Sequence, residues 1–419
     1  LKNKKLVKKS KKKIVSTCVF LPESPSVNHK TSVYIVQLIK NIETFTKVMG
    51  DKYILRVYYD SMFDKGLNKK KLEKAVYNDT VDKHKSYALV AAAKHNVKKA
   101  NKLNKLTNSP IPNVNYVVEA TKQIASYVKS GNLILLESTS PVGTTYMISE
   151  ILSKEGVDTS GIYIAHSPER VLPGQIMKEL IENDRVVGGV NNISTKKAAE
   201  FYRTFVNGEV METNAKTAEM TKLTENSFRD VNIAFANELS MICSELDIDT
   251  NELISIANCH PRVNILNPSP GVGGHCISVD PWFIVSKVPK YSKLIRTARD
   301  VNNNKSIWVV NKIESHASNF EDEFLRKPLI GIFGLTFKPN IDDIRESSAI
   351  KILNELLLNK NNIVCSDPNL ESTDKLKIYS IKYLIKKCDI LVFLVAHKEF
   401  KSLKIKNPKI LDFCNVLDK

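Results

Sequence analysis

The chain has 419 residues, of which 42% are hydrophobic and 26% are charged, and its formal net charge is +17. This composition excludes wholesale disorder, the length suffices for two or three domains, and no apolar run approaches the ~18 residues of a membrane span. The charge is unevenly placed, because the first 100 residues carry a net +15 and the remaining 319 carry only +2. The excess charge therefore belongs to one segment.

That basic front, residues 1–105, has its own pattern. Two runs rich in β-branched and aromatic residues, KIVSTCVFL and YILRVYYDSMF, predict strands, and helical spacing between them predicts a βαβ unit. The segment contains no glycine-rich loop. Its lysine tracts lack interleaved aromatic residues and any nucleic-acid-binding motif, so we expect no nucleic-acid partner.

The next stretch, up to residue 212, alternates helices and buried strands. VNYVVEATKQIASYVKSG predicts an amphipathic helix that ends at Gly131, and NLILLES and GIYIAHS predict strands of a parallel sheet. A polar motif follows each strand, ESTSPVGTT at 137–145 and HSPERVLPG at 166–174. Because ligands of parallel sheets bind at the carboxyl ends of strands, both motifs are candidate site loops.

A helix of about thirty residues without proline or glycine is predicted over residues 217–247, and a second long helix over 292–318. Lys222 and Asn226 are four residues apart on the first helix and share one face, where they could stabilise an oxyanion. Between the helices lies NPSPGVGGHCISVDPWF, in which three glycines precede Cys276 and Asp280 follows it. A cysteine on such a loop is accessible, unlike the six others, whose contexts predict inert or core residues.

The last hundred residues begin a fresh α/β unit. PLIGIFGL, NIVCSD and DILVFLVA predict strands, with helices at 347–360 and at SIKYLIKKC. The loop GLTFKPNIDDIRESSA places Lys338 and Arg345 between a strand and a helix, where they suit phosphate contacts.

The order of these motifs is more specific than any one of them. TAEMTKLTENSFRDVNIAFANELS, HPRVNIL and GVGGHCISVDPWFIV closely resemble the UDP-glucose/GDP-mannose dehydrogenase family, from about residue 108 to near the C-terminus. The resemblance implies an α/β fold with a Rossmann-like NAD domain, atypical in its front half, a central long-helix dimerisation domain and a second Rossmann-like UDP-sugar-binding domain. The implied boundaries are 1–105 for the atypical segment, then 106–212, 213–318 and 319–419.

The resemblance also implies the activity. Family members oxidise a sugar C6 alcohol to a carboxylate in two hydride transfers, using two NAD and one water. PERVLPGQIM, HPRVNIL and VDPWF, where UDP-glucose enzymes usually differ, favour conversion of UDP-N-acetyl-D-mannosamine to its uronate for polysaccharide biosynthesis. The implied partners are a UDP-sugar substrate and a second copy of the chain, as a homodimer or higher homo-oligomer.

Residue roles follow from the same resemblance. The implied catalytic residues are Cys276 as nucleophile, Asp280 as base through a bound water, Lys222 and Asn226 as stabilisers of oxygen charge, and Glu169 and Thr139 as the pair that positions the hydrolytic water. The implied substrate contacts are Arg262, Asn264, Gly271, Gly273, Gly274 and Lys338. The implied cofactor contacts are Ser140, Val142, Gly143 and Arg345. No metal ligands are predicted, because no Cys/His spacing typical of zinc occurs.

The front of the chain departs from the family, which opens with a strand, G-x-G-x-x-G and a helix that hold the pyrophosphate. Here KIVSTCVFLPESPSVNHKTS stands in that place, with proline and serine instead of glycine. A fused foreign segment, a frame disturbance and a degenerate but working βαβ unit are three open explanations. Two functions stay open with them: an active dehydrogenase and a catalytically impaired, oligomeric UDP-sugar-binding protein.

The compartment is predicted from the cysteines. Seven scattered cysteines without paired spacing favour a reducing environment. The lysine-rich opening precedes only a short apolar run, with no signal-peptide cleavage site and no arginine typical of a transit peptide. We therefore expect a cytoplasmic protein without a membrane segment.

Overall fold

The computed structural model describes residues 112–170, 176–274, 276–373, 376–405 and 409–417. The chain divides into two compact units, with the boundary after Leu223. The predictions for residues 1–105, including the βαβ unit, and for residues 171–174 of the second polar motif lie outside the described residues.

The described part of the first unit alternates helices with strands. Its elements are α1 (Asn115–Ala125), β1 (Leu133–Leu136), α2 (Thr144–Lys154), β2 (Tyr163–His166), α3 (Ile176–Glu182), β3 (Arg185–Gly189), α4 (Asn192–Tyr202) and β4 (Val210–Asn214). Buried side chains alternate between the two faces of the sheet: Ile134 and Leu136 pack with α1 and α2, whereas Leu135 packs with α4. This period of two is typical of a strand covered on both faces.

The sheet of this unit has the order β1-β2-β3-β4, and it is mixed. Strands β1 and β2 are parallel, as are β3 and β4, but β3 runs antiparallel to β2. The predicted parallel arrangement of β1 and β2 is confirmed, whereas β3, for which the sequence analysis gives no prediction, adds one antiparallel pair. Strand β3 begins beyond the carboxyl end of β2, where Arg185, its first residue, contacts Glu169, three residues after β2 ends.

The second unit continues from the long helix α5 (Ala215–Glu245), which crosses the boundary. The further elements are α6 (Thr250–Ala257), α7 (Pro281–Lys287), α8 (Lys293–Phe324), β5 (Leu329–Phe333), α9 (Ser348–Leu358), β6 (Asn362–Ser366), α10 (Ile381–Lys387), β7 (Ile390–Phe393), α11 (Lys398–Lys401) and β8 (Lys409–Asp412). Helix α5 starts and ends within two residues of the predicted range. None of the helices in the described ranges is long and apolar enough to cross a membrane.

The second sheet has the order β6-β5-β7-β8 with every pair parallel. The α/β prediction for this region is confirmed. Strand β6, which follows β5 in the chain, pairs with one edge of β5, and β7 pairs with the opposite edge. This reversal makes the carboxyl ends of β5 and β7 the switch point at which open α/β sheets bind ligands.

Two helices differ in length from their predictions. Helix α1 ends at Ala125 instead of Gly131, because the Asn132 side chain accepts a hydrogen bond from the Lys129 amide and Gly131 donates to the Gly161 carbonyl. Helix α8 continues six residues beyond residue 318, where Phe320 and Phe324 stack with ring centroids 4.4 Å apart.

Candidate functional site

Cys276 lies on a helical turn that leads into α7. Its carbonyl accepts hydrogen bonds from the amides of Val279 and Asp280, at 3.0 and 2.9 Å, so the cysteine and the carboxylate share one turn. Cys276 is exposed, whereas Asp280 is buried and accepts a 2.6 Å hydrogen bond from Nδ2 of Asn226. The structure thus brings Cys276, Asp280 and Asn226 together. The hydrogen bond between Asn226 and Asp280 attaches the turn that carries Cys276 and Asp280 to helix α5.

Burial distinguishes this cysteine from others. Cys243, Cys365 and Cys388 are buried, and burial raises the pKa of Cys365 and of Cys388 to about 12. A thiol with such a pKa supplies almost no thiolate near neutral pH. Cys259 is the other exposed cysteine of the described residues, which makes it a natural control for Cys276.

The part of α5 that carries Asn226 is held to α8 by buried polar contacts. Asp230, one turn along, accepts a 2.6 Å hydrogen bond from Arg299, and both side chains are almost fully buried. Further along, Asn237 donates to Asn302 and accepts from the Ser269 amide at 2.7 Å, just before the glycine loop. Sequence reasoning missed this network, although its polar residues recur on one face of the predicted helix.

The glycine loop packs closely against the loop that carries Lys338. A Cβ on Gly274, which has φ +81°, would lie 3.1 Å from the ring of Phe337. Gly271, with φ +148°, would place a Cβ 2.8 Å from the Ser348 hydroxyl. A side chain at either position would therefore be strained, and at Gly274 it would push the glycine loop away from Phe337. Gly273 makes the same close approach, to the Glu346 carbonyl.

The remaining predicted contacts of the second unit are more open. Lys338, Arg262 and Asn264 are exposed, and the last two lie in a loop that Asn258 ties across to Ile265. The Arg345 guanidinium pairs with Asp343 of its own loop at 2.7 Å. This pairing orients Arg345 toward its own loop.

In the first unit, Thr139 and Glu169 follow the carboxyl ends of β1 and β2. The strand register continues past both strands, since the Glu169 amide donates to the Glu137 carbonyl at 3.1 Å. Because the two strands are adjacent and parallel, the motifs at 137–145 and 166–170 lie side by side. Arg185 lies 3.4 Å from the Glu169 carboxylate and is 1% exposed, which holds that carboxylate at the edge of the sheet.

Glu219, on the first turns of α5, is a residue that sequence reasoning missed. Its carboxylate accepts hydrogen bonds from the amides of Gly143 and Thr145, at 2.6 and 2.7 Å, and from the Thr145 hydroxyl at 2.6 Å. It therefore caps α2 and fixes the loop that contains Ser140, Val142 and Gly143. Glu219 lies three residues before Lys222 on the same predicted helix, and this spacing is the sequence signal that could have marked it as a residue near the site.

Comparison with known proteins decides the family. The chain matches the NAD binding domain of the UDP-glucose/GDP-mannose dehydrogenase family over residues 91–206, its central domain over 216–304 and its UDP binding domain over 331–419. It is 48% identical over 320 residues to a UDP-N-acetyl-D-mannosamine dehydrogenase of Campylobacter jejuni, covering 72% of this chain and 77% of that protein. The chain belongs to the UDP-glucose/GDP-mannose dehydrogenase family.

Two further relatives support the same assignment. An NDP-N-acetyl-D-galactosaminuronic acid dehydrogenase of Ralstonia solanacearum is 47% identical, with 70% of this chain and 71% of that protein covered. The solved structure of a UDP-D-ManNAc dehydrogenase from Pyrococcus horikoshii superposes with a TM-score of 0.72 at 30% identity, covering 91% of this chain and 94% of that one. As a member of this dehydrogenase family the chain is an enzyme that uses NAD.

The described part of the family's NAD binding domain fits a polar ligand at its strand ends. The hydroxyl groups of Ser140 and Ser167 are buried and make no hydrogen bond to any described residue. A buried hydroxyl without a partner costs about 1–3 kcal/mol, so donors or acceptors of a bound molecule would stabilise this edge. The two residues follow β1 and β2, at the edge where ligands of such sheets bind.

His166, the last residue of β2, gives a pH-dependent prediction. Its ring is fully buried, and burial lowers its pKa to about 4, although the Leu136 carbonyl and the Glu137 carboxylate favour the proton. The unfolded chain takes up this proton below about pH 6.5, and the folded chain does so only near pH 4. The free energy of unfolding therefore loses about 3 kcal/mol as the pH falls from 6.5 to 4.

Urea unfolding of wild type and His166→Gln across this pH range measures the effect. The difference between the two free energies of unfolding should be constant above pH 6.5 and shrink below it. A difference that does not change with pH would contradict the neutral, buried state of His166.

Proposed function

We propose that this chain oxidises the C6 alcohol of a UDP-sugar to a carboxylate and that the sugar is N-acetyl-D-mannosamine. The arrangement that carries the proposal is the exposed Cys276 on a turn whose Asp280 carboxylate is bound to Asn226. A nucleophile, a carboxylate and an amide donor are groups that aldehyde oxidation through a thioester requires. The naming of several relatives as UDP-N-acetyl-D-mannosamine dehydrogenases supports this sugar.

NAD, when bound, supplies the hydride acceptor for both oxidations. In the first, Asp280 acts through a bound water as the base that takes the hydroxyl proton, and Lys222 and Asn226 stabilise the alkoxide. In the second, the Cys276 thiolate adds to the C6 aldehyde and forms a thiohemiacetal, whose oxygen the same two side chains hold. The support for these two roles is that Cys276 and Asp280 lie on one helical turn.

The final step is hydrolysis of the thioester that Cys276 carries after the second oxidation. Thr139 and Glu169 position the water, which attacks the thioester carbonyl and releases the carboxylate and the Cys276 thiol. The support for this pair is its place at the carboxyl ends of adjacent parallel strands, with Arg185 holding the Glu169 carboxylate.

The binding contacts and the domain division belong to the same proposal. The substrate contacts are Arg262, Asn264, Gly271, Gly273, Gly274 and Lys338, with Lys338 at the diphosphate, and the cofactor contacts are Ser140, Val142, Gly143 and Arg345. The domain boundaries of the proposal are 106–212 for the part that binds NAD, 213–318 for the part with the cysteine loop and 319–419 for the part that binds UDP. Cysteines without paired spacing favour a reducing compartment, which supports the cytoplasm, and the uronate product suits polysaccharide assembly.

One observation favours the alternative, an impaired UDP-sugar-binding protein. Residues 1–105 contain no G-x-G-x-x-G, and without that loop the pyrophosphate of NAD loses its backbone donors. Calorimetric titration of the full chain with NAD and, separately, with UDP separates the two functions. Binding of both, with NADH formed from UDP-N-acetyl-D-mannosamine faster than from UDP-N-acetyl-D-glucosamine or UDP-glucose, supports the proposal. Binding of UDP without NAD at millimolar concentration supports the alternative.

The oligomer is proposed from the exposed face of α5. Phe228, Phe235 and Ile242 are 69%, 57% and 47% exposed and recur every seven residues, so they form one apolar stripe along the helix. Large exposed apolar surface of this kind marks a protein interface. We infer that the stripe joins two copies of the chain as a homodimer.

Phe235→Asp is expected to abolish this dimer, because the substitution puts a charge into the centre of a buried apolar seam. Sedimentation velocity should show a dimer for wild type and a monomer for the variant at the same micromolar concentration. Ile193→Asp, at an equally exposed isoleucine on α4 outside the stripe, is the control and should remain dimeric. A dimeric Phe235→Asp protein would exclude the stripe as the interface.

A further inference from the structure

A buried histidine at the edge of the second sheet has no part in the chemistry proposed above. His397 is fully buried and follows β7 by four residues, beside the end of β5. It therefore lies at the switch point of the UDP binding domain, where the strand order reverses.

The hydrogen bonds of His397 determine which ring nitrogen carries the proton. Nδ1 accepts from the backbone amide of Asn340 at 3.0 Å and lies 2.9 Å from Nδ2 of Asn369. A nitrogen that faces an N–H donor must be the acceptor, so the proton of the neutral ring is on Nε2. Nε2 in turn lies 3.1 Å from the Oδ2 atom of Asp367 and donates to it.

Asp367 is held as a carboxylate that orients the ring. It is buried, directly after β6, and it accepts hydrogen bonds from the amides of Leu335 and Asn369 at 2.7 and 2.9 Å. Burial alone would raise the pKa of this carboxyl group, but the hydrogen bonds from His397 and the two amides lower it below its ordinary value. The ends of β5, β6 and β7 are thus joined through one imidazole.

The loop that these contacts fix is the one that carries Lys338. His397 binds the Asn340 amide, and the Asn340 side chain accepts from the Lys398 amide at 3.0 Å. On the other side of the lysine, Thr336 lies 3.2 Å from Nε2 of His397 and donates to the Lys338 carbonyl at 2.9 Å. Asn340 has φ +59°, an uncommon conformation for a residue other than glycine, so the surrounding contacts must maintain it.

We propose that His397, oriented by Asp367, is a positioning residue that holds the 336–340 loop so that Lys338 meets the diphosphate of a nucleoside diphosphate. The inference rests on the proposed function, which places the diphosphate of the UDP-sugar at Lys338. Lys338 supplies the charge, and His397 supplies the loop conformation that presents it. Preorganisation of this kind increases affinity by reducing the ordering required on binding.

Two variants separate the ring nitrogens. In His397→Asn the amide oxygen takes the place of Nδ1 and can still accept from the Asn340 amide. In His397→Gln the longer side chain puts its amide nitrogen near the place of Nε2, which keeps the bond to Asp367 and loses the acceptor for Asn340. Titration of the full chain with UDP should give a Kd within about threefold of wild type for His397→Asn. The Kd of His397→Gln should be about tenfold or more higher than that of wild type.

Stability provides the readout that a merely structural role would not reproduce. The His397→Gln variant keeps a hydrogen bond to the buried Asp367 carboxylate. Its melting temperature should therefore equal or exceed that of His397→Asn, although it binds UDP more weakly. Leu384→Ala, in the core beneath the same sheet, should lower the melting temperature and leave the Kd for UDP unchanged. Steady-state assays should show the KM for the UDP-sugar rising in the Gln variant, with kcat within about twofold.

The outcomes are distinguishable. Equal UDP affinity of wild type and both variants, or affinity that follows the melting temperature across all three variants, would overturn the positioning role. Failure of the wild type to bind UDP would overturn the proposed function instead.

Discussion

Replacing Cys276 by serine is expected to abolish carboxylate formation, with the rate of uronate production falling by a factor of about 10³ or more. Serine has nearly the same size, but its hydroxyl is not ionised near neutral pH and cannot form the thioester on which hydrolysis depends. The turn should survive, because the hydrogen bonds from Val279 and Asp280 go to the carbonyl of residue 276 and not to its side chain.

The measurement is product analysis by mass spectrometry after prolonged incubation with UDP-N-acetyl-D-mannosamine and NAD. The variant should give aldehyde-level species at most, whereas Cys259→Ser, at the other exposed cysteine, should produce uronate at the wild-type rate. Undiminished uronate production by Cys276→Ser would remove the cysteine from the mechanism.

The second large effect is expected for Lys222→Met, which keeps the length of the side chain and removes its charge. If Lys222 stabilises oxygen charge that develops during the reaction, kcat should fall by about 10²–10³ with little change in KM for the UDP-sugar. Lys222 stands one helical turn from Asn226, whose amide is bound to Asp280, so the substitution acts beside a fixed donor and carboxylate.

Lys216→Met provides the matched control for this experiment. Lys216 is on the same helix, is exposed and lies 5.6 Å from the Tyr146 ring centroid, and it has no role in the proposed chemistry. Its kcat should stay within about twofold of wild type. A Lys222→Met enzyme with wild-type kcat and a raised KM would show that the lysine binds substrate without acting on the reaction.

Local sequence patterns predicted most elements of the described fold because their causes are local. The run of about thirty residues without proline or glycine predicted α5, and short continuous apolar runs predicted β1 and β5. The predictions were wrong where a distant partner determines the structure. Helix α1 ends early because Asn132 and Gly161 draw residues 126–131 into a turn.

The candidate site shows the same division. A glycine-rich loop before Cys276, and Lys222 and Asn226 at helical spacing, were recognisable because each motif is contiguous in the sequence. Glu219 and Arg185 were not, since a lone charged residue carries no pattern until its partner is known. Glu219 contacts Gly143, which is 76 residues away in the sequence, and Arg185 contacts Glu169, which is 16 residues away.

The sequence by itself determined the family, the α/β class and the cofactor, since ordered motifs and periodic apolar residues are properties of the linear chain. It also located the charge of +17 in the front segment. Only the tertiary structure decided which polar residues hold these motifs in place: Asn226 for Asp280, Glu219 for the loop before α2, and the Asp367–His397 pair for the Lys338 loop. Such contacts depend on directed hydrogen bonds between residues far apart in sequence, and folding alone brings the bonded atoms to distances of 2.6–3.1 Å.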